Sequence, residues 1–181
     1  MTTLGDLFGA ALVLPDAVDA PRAAAARARC DARGYTRYAR YDRGSYDVLE
    51  NPDEPELVGL MVRAAERTTG RTLALAESRV LRLLPGDYVL AHHDRIHEGN
   101  PVEVTLDLSP NPADADVHYR RRGQVFFRVP CIPGALAIVE RGVTITRNHT
   151  YVSKLLRDAV VVRLIVLLHD SPPAMHTTRS A

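Results

Sequence analysis

The sequence predicts an α+β fold that is mainly β, with a sandwich or jelly roll of antiparallel strands preceded by two helices. Three observations carry this expectation. From residue 71 onward, short apolar or alternating segments recur between turn residues, the pattern of a β-sandwich or barrel. Before residue 71, two stretches carry helical patterning and a terminal glycine. The 181 residues suit one domain with a substantial hydrophobic core and are short for two. A single domain over 1–170 is expected, with 1–70 as a helical lead-in, 71–170 as the β core and 171–181 as a flexible tail.

The elements follow in order. "FGAALVLP" (8–15) is a short β-like run ended by proline. Asp19 then suits an N-cap, with Pro21 inside the first turn, and the alanine-rich stretch 20–34 reads as a helix stopped by Gly34. "YTRYARYDRGSYDVLENPDEP" is aromatic, polar and turn-rich, and reads as an excursion over a surface or a site. The stretch 55–70 is a second helix, with apolar positions 57, 60, 61, 64 and 65 on one face and Gly70 at its end. The strands read as "TLALAESRVLRLLP", "DYVLAHHD", "VEVTLDLS", "DVHYRR", "QVFFRVP", "ALAIVE", "GVTITRNHTYV" and "AVVVRLIVLLHD". Helices covering one face of such a sheet complete the arrangement.

Composition narrows the function classes. Apolar content of 46% and charged content of 25% are ordinary for a soluble domain. A net charge of +1 provides no field to draw nucleic acid or a membrane surface. No apolar stretch approaches the roughly 20 residues that span a bilayer. The N-terminal run lacks a basic segment, with Asp6 standing there instead, so no export signal and a cytoplasmic location are expected. Cys30 and Cys131 lie far apart without a CxxC partner, and read as buried, reduced thiols rather than zinc ligands. Arg120 to Arg122 read as a solvated hairpin in preference to an anion patch.

The chemistry is concentrated in "LLPGDYVLAHHDR" (83–95). Side chains alternate along a strand, so His92 and Asp94 share a face and His93 points away. One imidazole and one carboxylate at a single point are two thirds of the 2-His-1-carboxylate triad that holds non-haem Fe(II). A hydrogen-bonded strand-end pair is the plainer alternative. The third ligand has to come from a later strand. His97 and His118 fall in loop-like stretches, His176 in the tail, and His169 ends the last strand. His149, 55 residues past Asp94 at the end of "GVTITRN", is the preferred candidate. Tyr88 has the parity of His92 and is a candidate pocket residue.

These motifs resemble those of the Fe(II)- and 2-oxoglutarate-dependent dioxygenase superfamily, in particular its prolyl-4-hydroxylase-like branch. "LLPGDYVLAHHD", "VEVTLDLS", "IPGALAIVE" with Pro133 and Gly134, "RNHTYV" and "VVVRLIVLLHD" follow that pattern in order over 79–170. The N-terminal part follows it loosely. The resemblance implies a double-stranded β-helix core with helices packed on one sheet. It implies Fe(II) held by His92, Asp94 and His149, with 2-oxoglutarate and O2 as cosubstrates. It further implies hydroxylation of an amino acid, a peptide side chain or a small biosynthetic intermediate, with release of succinate and CO2. The family's basic residue for the far carboxylate of 2-oxoglutarate commonly lies about ten positions after the distal histidine. Here the candidates are Arg163, 14 positions on, and Arg157, eight on. Arg163 interrupts an apolar strand, where an unpaired guanidinium is costly. Either a cosubstrate carboxylate or a structural Asp or Glu would satisfy it. The family's mid-domain "GG-x-L" turn is absent from "NPADADVHYRR".

Two other classes fit parts of the pattern. A cupin-type metalloprotein that uses no 2-oxoglutarate is partly mimicked by Gly86, His92 and Glu98, with Asp94 standing where a cupin has its second histidine. A jelly-roll binding module without catalysis would need no metal at all.

Overall fold

The computed structural model describes residues 10–92, 99–142 and 144–171, with His92 described by its backbone alone. In chain order the elements are β1 (Ala11–Leu14), α1 (Ala20–Arg33), β2 (Thr36–Arg40), β3 (Gly44–Glu50), α2 (Pro55–Thr69), β4 (Leu73–Leu83) and β5 (Tyr88–His92). They continue with β6 (Val102–Asp107), β7 (Ala113–Arg121), β8 (Gln124–Cys131), β9 (Leu136–Glu140), β10 (Ile145–His149) and β11 (Val161–Asp170).

Both helices end where their capping residues dictate. The Asp19 carboxylate accepts the Arg22 amide at 2.8 Å and caps α1. Gly70 closes α2 in the left-handed region at φ 69°, its amide donating to the Glu66 carbonyl. Leu57, Met61, Ala64 and Ala65 form the buried face of α2. Burying a side chain the size of Leu57 or Met61 contributes roughly 1.5–3 kcal/mol.

The strands form two antiparallel layers. One runs β9-β6-β11-β4 and the other β5-β10-β7-β8, with β1 added beside β9. This is the strand order of a double-stranded β-helix. β3 joins the layers by pairing with β4 from Asp47 to Glu50 and with β5 at Gly44 and Ser45. The close approach requires glycine. Gly44 has φ +124°, and a Cβ there would collide with the Tyr88 carbonyl oxygen.

The helices cover the outer face of the first layer. Val80, Val102, Val104, Leu106, Ile138, Leu164 and Val166 pack with α1 and α2 in one cluster. The opposite face of the same strands points between the layers. Leu81, Val161 and Ile165 there meet Val89, Ala115 and Cys131. Cys30 and Cys131 are free and buried, as expected, and burial pushes both thiols up to about 11.

Two expectations differ from the structure. Residues 35–50 form the hairpin β2–β3, and the first 70 residues thus contribute three strands as well as two helices. His118 lies on β7 rather than in a loop, its Nε2 3.7 Å from Asp116. The Arg120–Arg122 stretch does form a hairpin end, with Arg122 at φ 51° leading into Gly123. Of the expected tail over 171–181, Ser171 is tied down by its amide donating to the Thr72 carbonyl at 2.9 Å, and 172–181 lie outside the described residues.

Candidate functional site

The site is assembled where the end of β5 meets β10. Arg147 pairs with His92 and His149 with Val89, so the four residues 89–92 of β5 face the three residues 147–149 of β10. The extra residue is a β-bulge, a device that re-aims a strand beside a site. The bulge breaks the parity between Tyr88 and His92. Tyr88 is half-buried and lines an outer groove with Leu90, His118 and Asn148. His93, Asp94, His97 and Glu98 lie outside the described residues, so His92 is the part of the H-x-D motif that the structure registers. Among the described residues no group of three metal-ligating side chains gathers.

His149 ends β10 with 2% exposure. Its Nδ1 lies 3.0 Å from an Arg163 guanidinium nitrogen. Arginine has only donors, so Nδ1 is the acceptor and the neutral ring carries its proton on Nε2. Nε2 is buried and has no hydrogen-bond partner among the described residues. Burial, then the guanidiniums of Arg163 and Arg147, hold the imidazole well below its usual pKa. His149 is therefore neutral at pH 7, as a metal ligand must be.

Arg163 sits on β11 with 1% exposure. It donates to His149 and to the Ala115 carbonyl, and its Nε lies 3.7 Å from the Asp107 carboxylate. Protein groups thus offset part of a charge that would be costly alone, while Nε of Arg163 and the facing Asp107 oxygen have no hydrogen-bond partner among the described residues. Arg157, the other candidate, is exposed beside Asp158 on the surface before β11.

A second buried constellation lies level with the end of β5. Glu103 of β6 is fully buried and accepts from the Tyr119 hydroxyl at 2.6 Å, from Arg147 at 2.6 Å and from Arg141 at 2.5 Å. One carboxylate thus fixes two guanidiniums, a charge-assisted arrangement that is strong when dry. The alternation in "VEVTLD" buries it only because the helices take the other face. Val102, Val104 and Leu106 meet the helices, so Glu103, Thr105 and Asp107 must face the barrel interior.

Arg147 also lines a cavity of about 170 Å³ beneath the β2–β3 hairpin, with Tyr38, Tyr46, Glu50, Arg79 and Leu81. Arg79 and Arg147 both act electrostatically on His149, which ties this cavity to the end of β10.

The unpartnered, buried Nε2 of His149 fits the role of a metal ligand. The fit has one condition. Ligation through Nε2 moves the ring proton to Nδ1, so Arg163 must release that nitrogen.

No family model and no curated protein matches the sequence. The fold, by contrast, is shared widely with solved structures. A prolyl-4-hydroxylase from Pseudomonas putida superposes with a TM-score of 0.68 at 16% identity, covering 93% of this chain and 96% of that one. An oxidoreductase of the 2OG-Fe(II) oxygenase family from Burkholderia pseudomallei gives 0.69 at 12% identity, covering 88% and 85%. EvdO2 from Micromonospora carbonacea var. aurantiaca, complexed with 2-oxoglutarate, gives 0.59 at 14% identity, covering 90% of each chain. The double-stranded β-helix, the helices on one layer and the linking hairpin together give this chain the fold of the 2OG-Fe(II) oxygenases, in the form found in prolyl-4-hydroxylases.

Proposed function

We propose that the protein is a non-haem Fe(II)- and 2-oxoglutarate-dependent oxygenase that hydroxylates an amino acid, a peptide side chain or a small biosynthetic intermediate. The observation that carries this reading is the neutral, buried His149 with its unpartnered Nε2, set one bulge away from His92 in this fold. His92, Asp94 and His149 would hold Fe(II). When bound, the metal with 2-oxoglutarate supplies the activation of O2, with succinate and CO2 as coproducts.

The chain's own residues do the rest. Arg163 would grip the far carboxylate of 2-oxoglutarate, with Arg157 as the alternative. In turning to that carboxylate, Arg163 leaves Nδ1 of His149, which then takes the ring proton. The apolar walls from Leu81, Val89 and Ile165 exclude water from the interior. A carboxylate at position 94 favours hydroxylation over halogenation, since related halogenases place a small residue there to admit chloride. A cytoplasmic location belongs to the same reading, with both thiols reduced.

A second reading is favoured by one observation. Arg163 already donates to His149 and Ala115 and faces Asp107, so a cupin-type metalloenzyme without 2-oxoglutarate would need no change at that residue. Succinate formation from 2-oxoglutarate, screened against amino acids and peptides, separates the two. The oxygenase reading expects substrate-dependent succinate that disappears in Asp94→Ala and in His149→Ala. Succinate formation that survives both substitutions contradicts it.

A further inference from the structure

Arg163 keeps one nitrogen in reserve. Nη1 and Nη2 are engaged by His149 and by the Ala115 carbonyl, whereas Nε is buried without a hydrogen-bond partner among the described residues. Asp107 stands directly opposite Arg163 in the register of β6 and β11. Its Oδ2 lies 3.7 Å from that Nε and is likewise buried and unpartnered among the described residues. An N–H···O bond closes at about 2.9 Å, so the two atoms face each other just outside bonding distance. The rest of Asp107 is held without help from Arg163. Oδ1 accepts the Ser109 amide at 2.9 Å. The Asp107 amide donates to the Ala135 carbonyl, and the Asp107 carbonyl accepts from Gly134. Asp107 is 3% exposed and Arg163 1%. A carboxylate oxygen and a guanidinium N–H left unbonded in so dry a setting are each costly, and a bond between them would remove both costs.

We propose that Asp107 is a positioning residue for Arg163: it takes Nε when Nη1 leaves His149, and so aims the outer nitrogens at the far carboxylate of 2-oxoglutarate. A guanidinium is a planar fork of five donors, so a bond at Nε fixes the direction of the others. Released from His149 with no second partner, Arg163 would have to be ordered by the cosubstrate alone, at a cost in entropy. A carboxylate on the neighbouring strand, already held by its own backbone and by Ser109, supplies that order in advance. A counter-charge serving stability alone would be bonded to Arg163 already. The facing, unbonded Oδ2 and Nε are the observation that separates the two roles. The inference rests on the oxygenase reading above and adds to it the residue that orients the grip.

The test is calorimetric binding of two acids to the full-length chain loaded with Zn(II), which excludes turnover. They are 2-oxoglutarate and 2-oxobutanoate, which shares the keto acid end and lacks the far carboxylate. The wild type should prefer 2-oxoglutarate. Asp107→Asn, which keeps the shape, should weaken 2-oxoglutarate by about tenfold or more and leave 2-oxobutanoate unchanged, since only the first acid uses the guanidinium. In an Arg163→Gln background the same substitution should make no further difference, because Asp107 acts through Arg163. A second measurement uses the wild type alone and stands even if a variant folds poorly. The arginine Nε–H signal of Arg163, followed by NMR in chain labelled at arginine nitrogen, should move to low field when Zn(II) and 2-oxoglutarate are added. Equal losses for both acids in Asp107→Asn, an unchanged or tighter affinity for 2-oxoglutarate, or an unmoved Nε–H signal overturns the inference and leaves the oxygenase reading standing. Binding of neither acid by the wild type removes that reading, and the inference with it.

Discussion

A guanidinium nitrogen of Arg163 lies 3.0 Å from Nδ1 of His149, and both side chains are buried. The contact fixes the tautomer of the histidine and, through it, the condition under which the proposed metal could bind. It also makes His149 a sensor of acid. Burial, followed by the charges of Arg163 and Arg147, depresses its pKa in the folded state. The unfolded chain takes up a proton near pH 6.5 that the folded chain refuses. The stability this histidine contributes is full above about pH 6.5 and is lost as pH falls below it. Urea unfolding of the metal-free protein between pH 7.5 and 5 should show a declining midpoint. In His149→Gln the decline over that window should be shallower.

Glu103 makes a second, larger prediction. Its carboxylate accepts from Arg141, Arg147 and Tyr119 in a fully buried setting. Glu103→Gln keeps the shape and removes the charge that both guanidiniums face, and should destabilise by about 3–5 kcal/mol. Tyr119→Phe removes one hydrogen bond to the same carboxylate and should cost about 1.5–3 kcal/mol. Equilibrium denaturation checks the order. Equal and small effects would show that the network contributes little.

Asp87 joins the turn before β5 to the β2–β3 hairpin. It accepts from the Leu84 amide at 2.9 Å, the Ser45 hydroxyl at 2.7 Å and Arg37 at 2.8 and 2.5 Å. Burial raises its pKa, but Arg37, Leu84 and Ser45 together more than offset this and hold it below the usual value. Its stabilisation is therefore present above about pH 4 and is lost as pH falls further, a lower window than that of His149. Asp87→Asn should cost about 2 kcal/mol at pH 7 and flatten the dependence below pH 4. A variant with unchanged acid sensitivity would contradict this.

Much of the architecture was legible in the residues. Asp19, Gly34 and Gly70 mark helix ends through backbone chemistry that tertiary packing does not override. The eight segments from residue 71 became β4 to β11 because turn residues punctuate each of them. The β2–β3 hairpin was not legible. "TRYAR" and "GSYDVLE" have polar residues on both faces, since one face of β3 carries Asp47 to Arg82 and the other lines the charged cavity. Glu103 was hidden for a related reason. Alternation in "VEVTLD" suggests a solvated polar face, but that face points into the barrel because the helices occupy the other. His149 and Arg163 stood out as polar residues in apolar strands. Their contact with each other was not legible, because sequence spacing says nothing of which strands become neighbours in space.

We propose above that His92 and His149 serve one Fe(II) site that takes 2-oxoglutarate. The most direct measurement is anaerobic titration of Fe(II) and then 2-oxoglutarate into the purified protein, followed by metal analysis and visible absorption. One equivalent of Fe(II) and a weak visible charge-transfer band on adding 2-oxoglutarate are expected, with the band absent in His92→Ala and in His149→Ala. Failure of the wild-type protein to hold Fe(II), or a band that persists in His149→Ala, would contradict it.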